Sequence, residues 1–301
     1  MATAPEVLAI CVNWNGAGVL RPTLAALRAC RYPSLEVMVV DNASSDHSEV
    51  GLEQVCDEVL LLEKNLGYGA AINAGVRTRL GVPGRCPDYF LVLNNDVLLA
   101  EDALASLVDT AGRHGPGVYG PKVLRAAAPT HLEAAWGRLT HSHVLARFEA
   151  ENALDDARWK GTRQVPLLLG SVLLVHRSVF ERCGLFDERY FMYHEEVDFL
   201  HRAGLCGIPC FFCPDARAFH VGGHSTRTDP SQKIYWTRRN TVLFLRKFRV
   251  SWVRWCYFSV TLLASILFNA ATLRWGRLRS LLRGAVDGCR LDLAAPETKA
   301  R

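Results

Sequence analysis

Val39-Val40-Asp41-Asn42-Ala43-Ser44-Ser45-Asp46 is the stretch that indicates the fold most strongly, because an apolar run ends there in an acid followed by turn-forming residues. Two other apolar runs end in a similar way, one at Asn13-Trp14-Asn15-Gly16 and one at Asn94-Asn95-Asp96. Short apolar runs bounded by turn residues are typical of buried strands. Polar residues that follow parallel strands gather at the edge where open α/β sheets bind ligands. These motifs therefore predict an α/β sheet with a ligand site at one edge.

Strands and helices are predicted to alternate through the first part of the chain. The predicted strands cover 7–13, 35–40, 59–62 and 89–93, and the predicted helices cover 19–30, 46–55, 69–80 and 101–114. Such alternation predicts a mostly parallel sheet with flanking helices and right-handed crossovers.

The periodicity weakens between 126 and 164, which predicts an excursion from the sheet. Order returns at 165–176, where Gly170-Ser171 interrupts an apolar run and would permit a close approach by another group. A further helix is predicted at 195–203, with Asp198 and Arg202 spaced to form an ion pair.

Composition limits the classes of protein to which the chain can belong. Half of the 301 residues are hydrophobic, which excludes disorder of the whole chain. The net charge of +5 arises partly from basic residues on both sides of an apolar C-terminal stretch, and this pattern favours an anionic membrane surface over nucleic acid. No N-terminal signal peptide is predicted, so the protein is expected in the cytoplasm, at the inner face of the membrane.

The ten cysteines show no disulfide framework and favour a reducing compartment. One group has a spacing that resembles a set of zinc ligands, and it consists of Cys206, Cys210, Cys213, His220 and His224. The alternative is a buried strand from 206 to 212, whose alternating thiols would not converge on one ion.

The chain changes character after residue 230. We expect a catalytic domain at 1–230 and C-terminal amphipathic and apolar helices at 231–301, beginning with a basic amphipathic helix at 232–248. Trp255 to Leu273 then runs for nineteen residues without a formal charge, which is just long enough to span a bilayer. The basic and aromatic flanks suit a helix lying in the membrane interface equally well, and a buried core helix is the third alternative.

Two acids at predicted strand ends are candidates for ligand binding. Asp41 could accept hydrogen bonds from a base or a ribose hydroxyl, whereas an Asx turn or a helix cap explains its polar neighbours better. Asp96 directly follows a strand, where a buried acid is costly unless it meets solvent or a cation. A Mg²⁺ or Mn²⁺ ion that bridges a diphosphate would explain this acid, and capping of the following segment is the alternative.

Three acids, Glu195, Glu196 and Asp198, follow an aromatic stretch. Aromatic rings raise the pKa of a nearby carboxyl by excluding water, as a general base working near neutral pH requires. The alternative is a solvated helix start, where acids interact favourably with the helix dipole. His220 could bind the same metal, contact phosphate or pack as a polar core residue.

The loop Asn13-Trp14-Asn15-Gly16-Ala17-Gly18 could be mistaken for a dinucleotide-binding loop. The third glycine of the G-x-G-x-x-G pattern would fall at Arg21, so a Rossmann redox enzyme is excluded. The loop still suits a nucleotide that does not need the tight pyrophosphate turn.

The ordered set of motifs resembles the family 2 glycosyltransferases with the GT-A fold, especially the rhamnosyltransferase-like subgroup of bacterial cell-surface polysaccharide synthesis. The stretches that carry the resemblance are 12–16, 39–46, Asn65-Leu66-Gly67-Tyr68-Gly69 with Asn73, 93–96, Cys183-Gly184-Leu185-Phe186-Asp187-Glu188, and 193–202 followed by His220. Together they cover roughly residues 5–248.

The resemblance implies a role for each matching position. The nucleotide-sugar half would occupy about 1–120 and the acceptor half about 121–230. Glu196 would be the catalytic base, Glu195 and Asp198 would support its helix or meet the acceptor, and Asp96 and His220 would bind Mg²⁺ or Mn²⁺. The nucleotide sugar would be bound by Asn13, Asp41, Asn65, Gly67, Gly69, Asn73 and Asn95.

The expected activity is that of an inverting, metal-dependent hexosyltransferase. It would move a sugar, with rhamnose as the expectation for the subgroup, from a nucleoside-diphosphate sugar to a glycan or lipid-linked acceptor. The expected partners are this donor, this acceptor and a membrane surface, without nucleic acid.

Two departures from the family pattern affect these expectations. Asn94 stands where the family's D-x-D motif has its first acid, which would weaken metal binding, and Glu196 replaces the more usual Asp. The first alternative is a sugar-nucleotide pyrophosphorylase, although its glycine-rich basic signature is absent between 7 and 31. The second is an inactive binding module, which would be expected to lack the acidic pair.

Overall fold

The computed structural model describes residues 4–140, 145–222 and 230–293. The strands are β1 (Val7–Asn13), β2 (Leu35–Asp41), β3 (Glu58–Leu61), β4 (Tyr89–Asn94), β5 (Val97–Leu99), β6 (Val118–Arg125), β7 (Ala128–Ala134), β8 (Gly137–Leu139), β9 (Ala146–Phe148), β10 (Arg163–Gln164), β11 (Val172–His176) and β12 (Cys210–His220). The helices are α1 (Leu20–Ala29), α2 (Tyr68–Arg77), α3 (Ala103–His114), α4 (Arg177–Cys183), α5 (Glu195–Leu205), α6 (Pro230–Lys247), α7 (Trp252–Ala271) and α8 (Trp275–Arg290).

The predicted parallel sheet forms the first half of the fold. Strands β3, β2, β1 and β4 lie side by side in that order, and each neighbouring pair is parallel. In this register Asn13 lies opposite Asp41, and Val12 lies opposite Asn94. The polar ends of three strands therefore meet at one edge of the sheet, as predicted.

The second half of the sheet is mixed rather than parallel. β11 lies antiparallel to β4, and on its other side it pairs with β6. β6 runs parallel to β12, whose last residues pair with β5 so that His220 lies opposite Val97. This return of the chain brings His220 beside the segment that follows β4.

Helices cover both faces of the sheet with separate apolar clusters. One cluster includes α1 and α3, with Leu24 and Leu107 fully buried. The other includes α2, α4 and α5, in which Phe199 stacks on Phe186 with ring centroids 4.5 Å apart. Helix α5, which begins with the acidic pair, therefore rests on a packed aromatic layer.

Two local predictions from the sequence are wrong. Residues 46–55 form turns and a short 3₁₀ segment instead of an α-helix. The Asp46 carboxylate accepts hydrogen bonds from the backbone N–H groups of Ala17 and Ser48, and these bonds stabilise a turn. Residues 206–212 are not one buried strand, because α5 continues to Leu205 and leaves Cys206 exposed before β12 begins.

The weakly periodic region between 126 and 164 adds short strands at the sheet edge. β7 pairs with β6, β10 pairs with β12, and β8 and β9 form a small hairpin of their own. Within the described part of this region, charged side chains interrupt the apolar alternation without preventing strand formation, which is why the sequence pattern does not reveal the strands.

The three C-terminal helices pack as one unit against the catalytic part. Gly284 and Gly288 let α8 approach α6 closely. A Cβ added at Gly288 would lie 2.6 Å from the Arg239 carbonyl oxygen of α6. Helix α7 is long and apolar enough to cross a membrane, and only 6% of its most apolar stretch of 18 residues is buried. The third alternative, a buried core helix, is therefore wrong, since α7 turns most of its apolar surface outward.

Candidate active site

A cavity of about 920 Å³ opens at the edge where β1, β2 and β4 end. It collects predicted site residues from both halves of the fold, namely Asn65, Gly67, Asn95, Glu195, Glu196 and His220. The other predicted residues lie behind or beside this lining, namely Asn13, Asp41, Gly69, Asn73, Asp96 and Asp198. The structure therefore separates the predicted residues into those that face the cavity and those that support it.

A buried hydrogen-bond network forms the floor under the ends of β1 and β2. The Asn13 amide nitrogen donates to Asp41 Oδ2 at 2.7 Å, and the Asn95 amide nitrogen donates to Asn13 Oδ1 at 2.8 Å. Asp41 also accepts bonds from the backbone N–H and the hydroxyl of Ser44, at 2.9 and 2.7 Å. The Asp41 carboxylate therefore orients the loop after β2, and it is 3% exposed.

The loop before α2 is shaped by a second amide network. The Asn42 amide nitrogen donates to Asn65 Oδ1 at 3.0 Å, and that same oxygen accepts the N–H of Gly67 at 2.9 Å. Gly67 has a φ of +88°, and a Cβ there would collide with the Phe191 carbonyl group. A glycine is thus required both by the backbone conformation and by the close approach of the segment before α5.

Asn73 and Gly69 support the site from within α2. The Asn73 amide donates to the Phe186 carbonyl oxygen at 2.8 Å and accepts the Phe186 N–H at 2.9 Å, so both of its polar atoms are used inside the protein. A Cβ at Gly69 would lie 3.1 Å from Phe186 and 3.5 Å from Glu195. Both residues therefore fix the distance between α2 and the acidic pair.

Asp96, His220 and Glu133 form a polar chain beside the cavity. His220 Nε2 lies 3.0 Å from Asp96 Oδ1, and His220 Nδ1 lies 2.7 Å from Glu133 Oε2. Burial acts to lower the pKa of His220, but hydrogen bonds with the two carboxylates outweigh it and raise the pKa to about 10. Glu133 was not predicted, because it comes from β7 in the weakly periodic region.

Asp96 and His220 are suited to bind a divalent cation that also binds the phosphate groups of a ligand. Asp96 offers hard oxygen atoms, and His220 would offer a ring nitrogen once the cation displaces the proton on Nε2. This donor set suits Mn²⁺ or Mg²⁺ with phosphate and water filling the remaining positions. Among the residues that the structure describes, no group of three or more His, Cys, Asp or Glu side chains is arranged to hold a metal alone.

The alternative zinc site is not assembled in the described part of the chain. Cys206 is exposed, whereas Cys210 and Cys213 are buried in β12. Burial raises the pKa of both buried thiols to about 12, so they remain protonated. His224, the last member of that spacing, lies outside the described residues.

The acidic pair begins α5 and lines the cavity. Burial raises the pKa of both Glu195 and Glu196, and the neighbouring Glu196 charge raises that of Glu195 further. Opposite them, a Cβ at Gly170 would lie 2.8 Å from Glu196 Cγ. The close approach predicted at Gly170 is therefore made by the Glu196 side chain.

Asp198 is buried away from the cavity, beneath the same helix turn. It accepts hydrogen bonds from Arg202 Nε at 2.8 Å and the Tyr190 hydroxyl at 3.2 Å, and it pairs with Lys247 Nζ at 2.8 Å. The predicted ion pair with Arg202 is confirmed. Asp198 therefore supports the helix instead of facing the cavity.

Within the part of the chain that the structure describes, three polar atoms around the cavity are buried and find no hydrogen-bond partner: Ser171 Oγ, the Tyr193 hydroxyl and Glu195 Oε2. An unpartnered buried polar atom is costly, and a polar ligand in the cavity would satisfy it. Ser171 and Tyr193 were not assigned as site residues from the sequence. The cavity is therefore suited to a ligand rich in hydroxyl groups.

The sequence matches the family described as Glycosyl transferase family 2 over residues 9–181. An N-acetylglucosaminyl-diphospho-decaprenol L-rhamnosyltransferase of Mycobacterium tuberculosis (strain ATCC 25618 / H37Rv) is 30% identical over 303 residues, covering 90% of this chain and 95% of the relative. The rhamnosyltransferase WbbL of Escherichia coli (strain K12) is 35% identical over 227 residues, covering 71% of this chain and 83% of that protein.

Solved structures with the same fold include the mannosyltransferase PcManGT from Pyrobaculum calidifontis in complex with GDP-Man and Mn²⁺. It has a TM-score of 0.56 and 17% identity, and the match covers 95% of this chain and 88% of that one. GalNAc-T7 with UDP, GalNAc and Mn²⁺ has a TM-score of 0.58 and 16% identity, covering 78% and 47% of the two chains. These likenesses confirm the GT-A fold. With the family match and the rhamnosyltransferase relatives, they establish that the chain is a glycosyltransferase of family 2.

Proposed function

We propose that the enzyme is an inverting glycosyltransferase that moves a sugar from a nucleoside diphosphate to a glycan or lipid-linked acceptor. The observation that carries this proposal is the meeting at one cavity of the acidic pair and His220, which Asp96 contacts from behind the lining. Rhamnose, supplied as deoxythymidine diphosphate rhamnose, is the donor sugar that we propose, because two relatives are named as rhamnosyltransferases. The diphospho-decaprenol in the name of the mycobacterial relative supports a lipid-linked acceptor.

Glu196 is the base that accepts the proton of the acceptor hydroxyl in this proposal. Burial raises its pKa, so the carboxylate takes a proton more readily than an exposed glutamate would. The acceptor oxygen then attacks the anomeric carbon, the bond to the nucleoside diphosphate breaks on the opposite side, and the configuration inverts. The unpartnered atoms of Ser171, Tyr193 and Glu195 are placed to bind sugar hydroxyls around this reaction.

Asp96 and His220 are the proposed metal ligands, and Glu133 orients the imidazole through its bond to Nδ1. A bound divalent cation supplies positive charge that stabilises the leaving diphosphate. Of the two candidate ions, Mn²⁺ fits the nitrogen ligand better, since Mg²⁺ prefers an all-oxygen environment. Asn94 in place of an acid leaves the site with fewer negative ligands.

The two halves of the catalytic part divide the substrates in this proposal. Residues 1–120 bind the nucleotide sugar through the loops after β1 and β2, where Asp41, Asn13 and Asn95 hold the floor in place. Residues 121–230 hold the acceptor, and 231–301 attach the enzyme to the membrane. Asn65 and Gly67 shape the donor pocket, and Gly69 and Asn73 set its distance from α5.

We propose that the C-terminal helices bind the inner face of the membrane, with the catalytic part in the cytoplasm. Exposed apolar residues line α7, including Val260 at 65%, Leu263 at 55% and Leu267 at 61% exposure. Exposed arginines follow on α8, including Arg277 and Arg279, which suit anionic lipid headgroups. This surface supports a membrane partner, from which a lipid-linked acceptor would reach the enzyme.

A donor screen tests the proposed activity. The purified enzyme is incubated with Mn²⁺, a lipid-linked or glycan acceptor and a panel of nucleotide sugars, and released TDP, UDP or GDP is measured. Acceptor-dependent release of TDP from the rhamnose donor supports the proposal, and acceptor-dependent release of another nucleotide corrects the donor. A protein that binds a nucleotide without turnover on any acceptor would be an inactive binding module.

Two variants test the assigned roles. Glu196→Gln should keep donor binding and lose turnover by roughly 10²-fold or more, because the amide cannot accept the proton. Asp96→Ala should abolish the dependence of donor binding on Mn²⁺ in titration calorimetry. Near-normal turnover of the first variant removes Glu196 from the mechanism, and unchanged metal dependence in the second shows that the metal assignment is wrong.

A further inference from the structure

The segment before the acidic pair adopts an unusual backbone conformation. Phe191, Tyr193 and His194 have φ values of +55°, +66° and +71°, in the left-handed region that residues with a side chain rarely adopt. Three such residues directly before Glu195 and Glu196 do not keep this path without outside support. We call residues 190–194 the strained loop.

One side chain of α6 holds most of this loop. The Asn240 amide nitrogen lies 2.8 Å from the Tyr190 carbonyl oxygen and 2.7 Å from those of Met192 and Tyr193. Because an amide nitrogen carries two N–H bonds, one of these three contacts is shared. Asn240 is fully buried, so bulk water does not compete for these bonds in the intact protein.

Neighbouring residues orient this amide and complete the support. Arg239 donates to Asn240 Oδ1 at 2.7 Å, which turns the amide nitrogen toward the loop, and it also donates to the Arg189 carbonyl oxygen at 2.8 Å. Of the two remaining carbonyls of the loop, that of Phe191 accepts the Tyr68 N–H at 2.9 Å and that of His194 accepts the Asp198 N–H at 3.0 Å. The loop is therefore clamped between α6 and the start of α2.

We propose that Asn240 is a positioning residue for the catalytic base. It fixes the strained loop so that Glu196 begins α5 at the correct place beside the cavity. Asn240 lies outside residues 9–181, the segment that matches the family model, and it belongs to the C-terminal helices for which the sequence predicts membrane association. The C-terminal unit is thus part of the catalytic apparatus. This inference depends on the role proposed for Glu196.

The test compares full-length variants on α6. Asn240→Ala removes the clamp, and Asn240→Asp keeps the volume while replacing the N–H donors with oxygen. Tyr235→Phe is the control, because it removes a hydrogen bond from the same helix, to Asp287 in α8 at 3.0 Å, without touching the loop. Trp236→Leu is a milder variant that keeps Asn240 and removes a ring stacked on Phe191, with centroids 4.7 Å apart; the same ring lies 5.0 Å from the Arg239 guanidinium.

The measurements are kcat, the fraction folded, and the affinity and stoichiometry of binding of the nucleotide identified in the donor screen. Asn240→Ala and Asn240→Asp should lower kcat by about tenfold or more, because the base is displaced. Nucleotide affinity should stay within about twofold of the wild-type value and the binding stoichiometry should not change, because the nucleotide site is not displaced. Trp236→Leu should lower kcat less, and Tyr235→Phe should leave it unchanged.

Two results would overturn the inference. In one, the Asn240 variants have the kcat of Tyr235→Phe. In the other, stoichiometry falls in parallel with kcat, which indicates lost folded enzyme instead of a displaced base. If the Asn240 variants do not fold, an unchanged kcat in Trp236→Leu rejects the inference. Normal turnover of Glu196→Gln contradicts the role of Glu196 as the base. If Glu196→Gln is inactive and Asn240→Ala is fully active, only the role of Asn240 is contradicted.

Discussion

Gly170→Ala should slow catalysis by pushing the proposed base away from its position. The backbone of Gly170 does not have a positive φ, so alanine is compatible with it, and the effect comes from the new methyl group. That methyl would lie 2.8 Å from Glu196 Cγ and 2.9 Å from its Cβ, whereas ordinary contacts begin at 3.4 Å. The Glu196 side chain must therefore retreat by about 0.6 Å or rotate away.

A misplacement of about 1 Å in a reacting group can cost about 10²-fold in rate. The shift at Glu196 should therefore lower kcat by about tenfold, which corresponds to about 1.4 kcal/mol in the activation free energy. Donor affinity should stay close to that of the wild type, because the methyl group faces the acidic pair. The assay is steady-state nucleotide release with saturating donor and acceptor, together with a thermal unfolding curve.

Gly204→Ala is the matched control, since it makes the same chemical change on α5 at a position where no atom of the described residues lies within 4 Å of an added Cβ. It should leave kcat unchanged. In a Glu196→Gln background, Gly170→Ala should have little further effect, because both changes act on the same step. Equal kcat values for the two alanine variants, or full additivity with Glu196→Gln, would refute the reasoning.

Three further predictions concern stability and membrane binding. Burial raises the pKa of Glu195 from 4.5 to about 8, so between these pH values the folded protein keeps a proton that the unfolded chain releases. The folded state therefore loses stability as pH rises from 4.5 to about 8, and the urea midpoint should fall. Glu195→Gln should flatten that dependence, and an equally steep slope would contradict it. Phe199→Ala should lower the free energy of unfolding by about 3–5 kcal/mol in urea titrations, since the fully buried ring stacks under α5. Replacing Leu263 and Leu267 with Asp should reduce flotation with anionic vesicles, whereas the same change at Leu205, a more exposed leucine outside the C-terminal helices, should not. Equal flotation of the two variants would argue against α7 as the membrane surface.

Local patterns were enough to predict the elements on which the site is built. The apolar runs that end at Asn13, Asp41 and Asn94 form adjacent parallel strands, in agreement with their short length and the turn signals that bound them. The Asp198–Arg202 pair also follows from spacing along one helix. The helix expected at 46–55 failed because Asp46 binds two backbone N–H groups and stabilises a turn, a competition that helical periodicity does not reveal.

The sequence by itself determined the α/β class, the parallel run of strands, the acids at the strand ends and the apolar C-terminal helix, since each depends on residues close together in the chain. Tertiary structure alone decided which of these residues face the cavity. It turned Asp41, Asn73 and Asp198 into supports, and it brought Glu133 to His220 and Asn240 to the strained loop across long separations. Such contacts depend on how the sheet and helices pack, and short-range patterns carry no record of that packing.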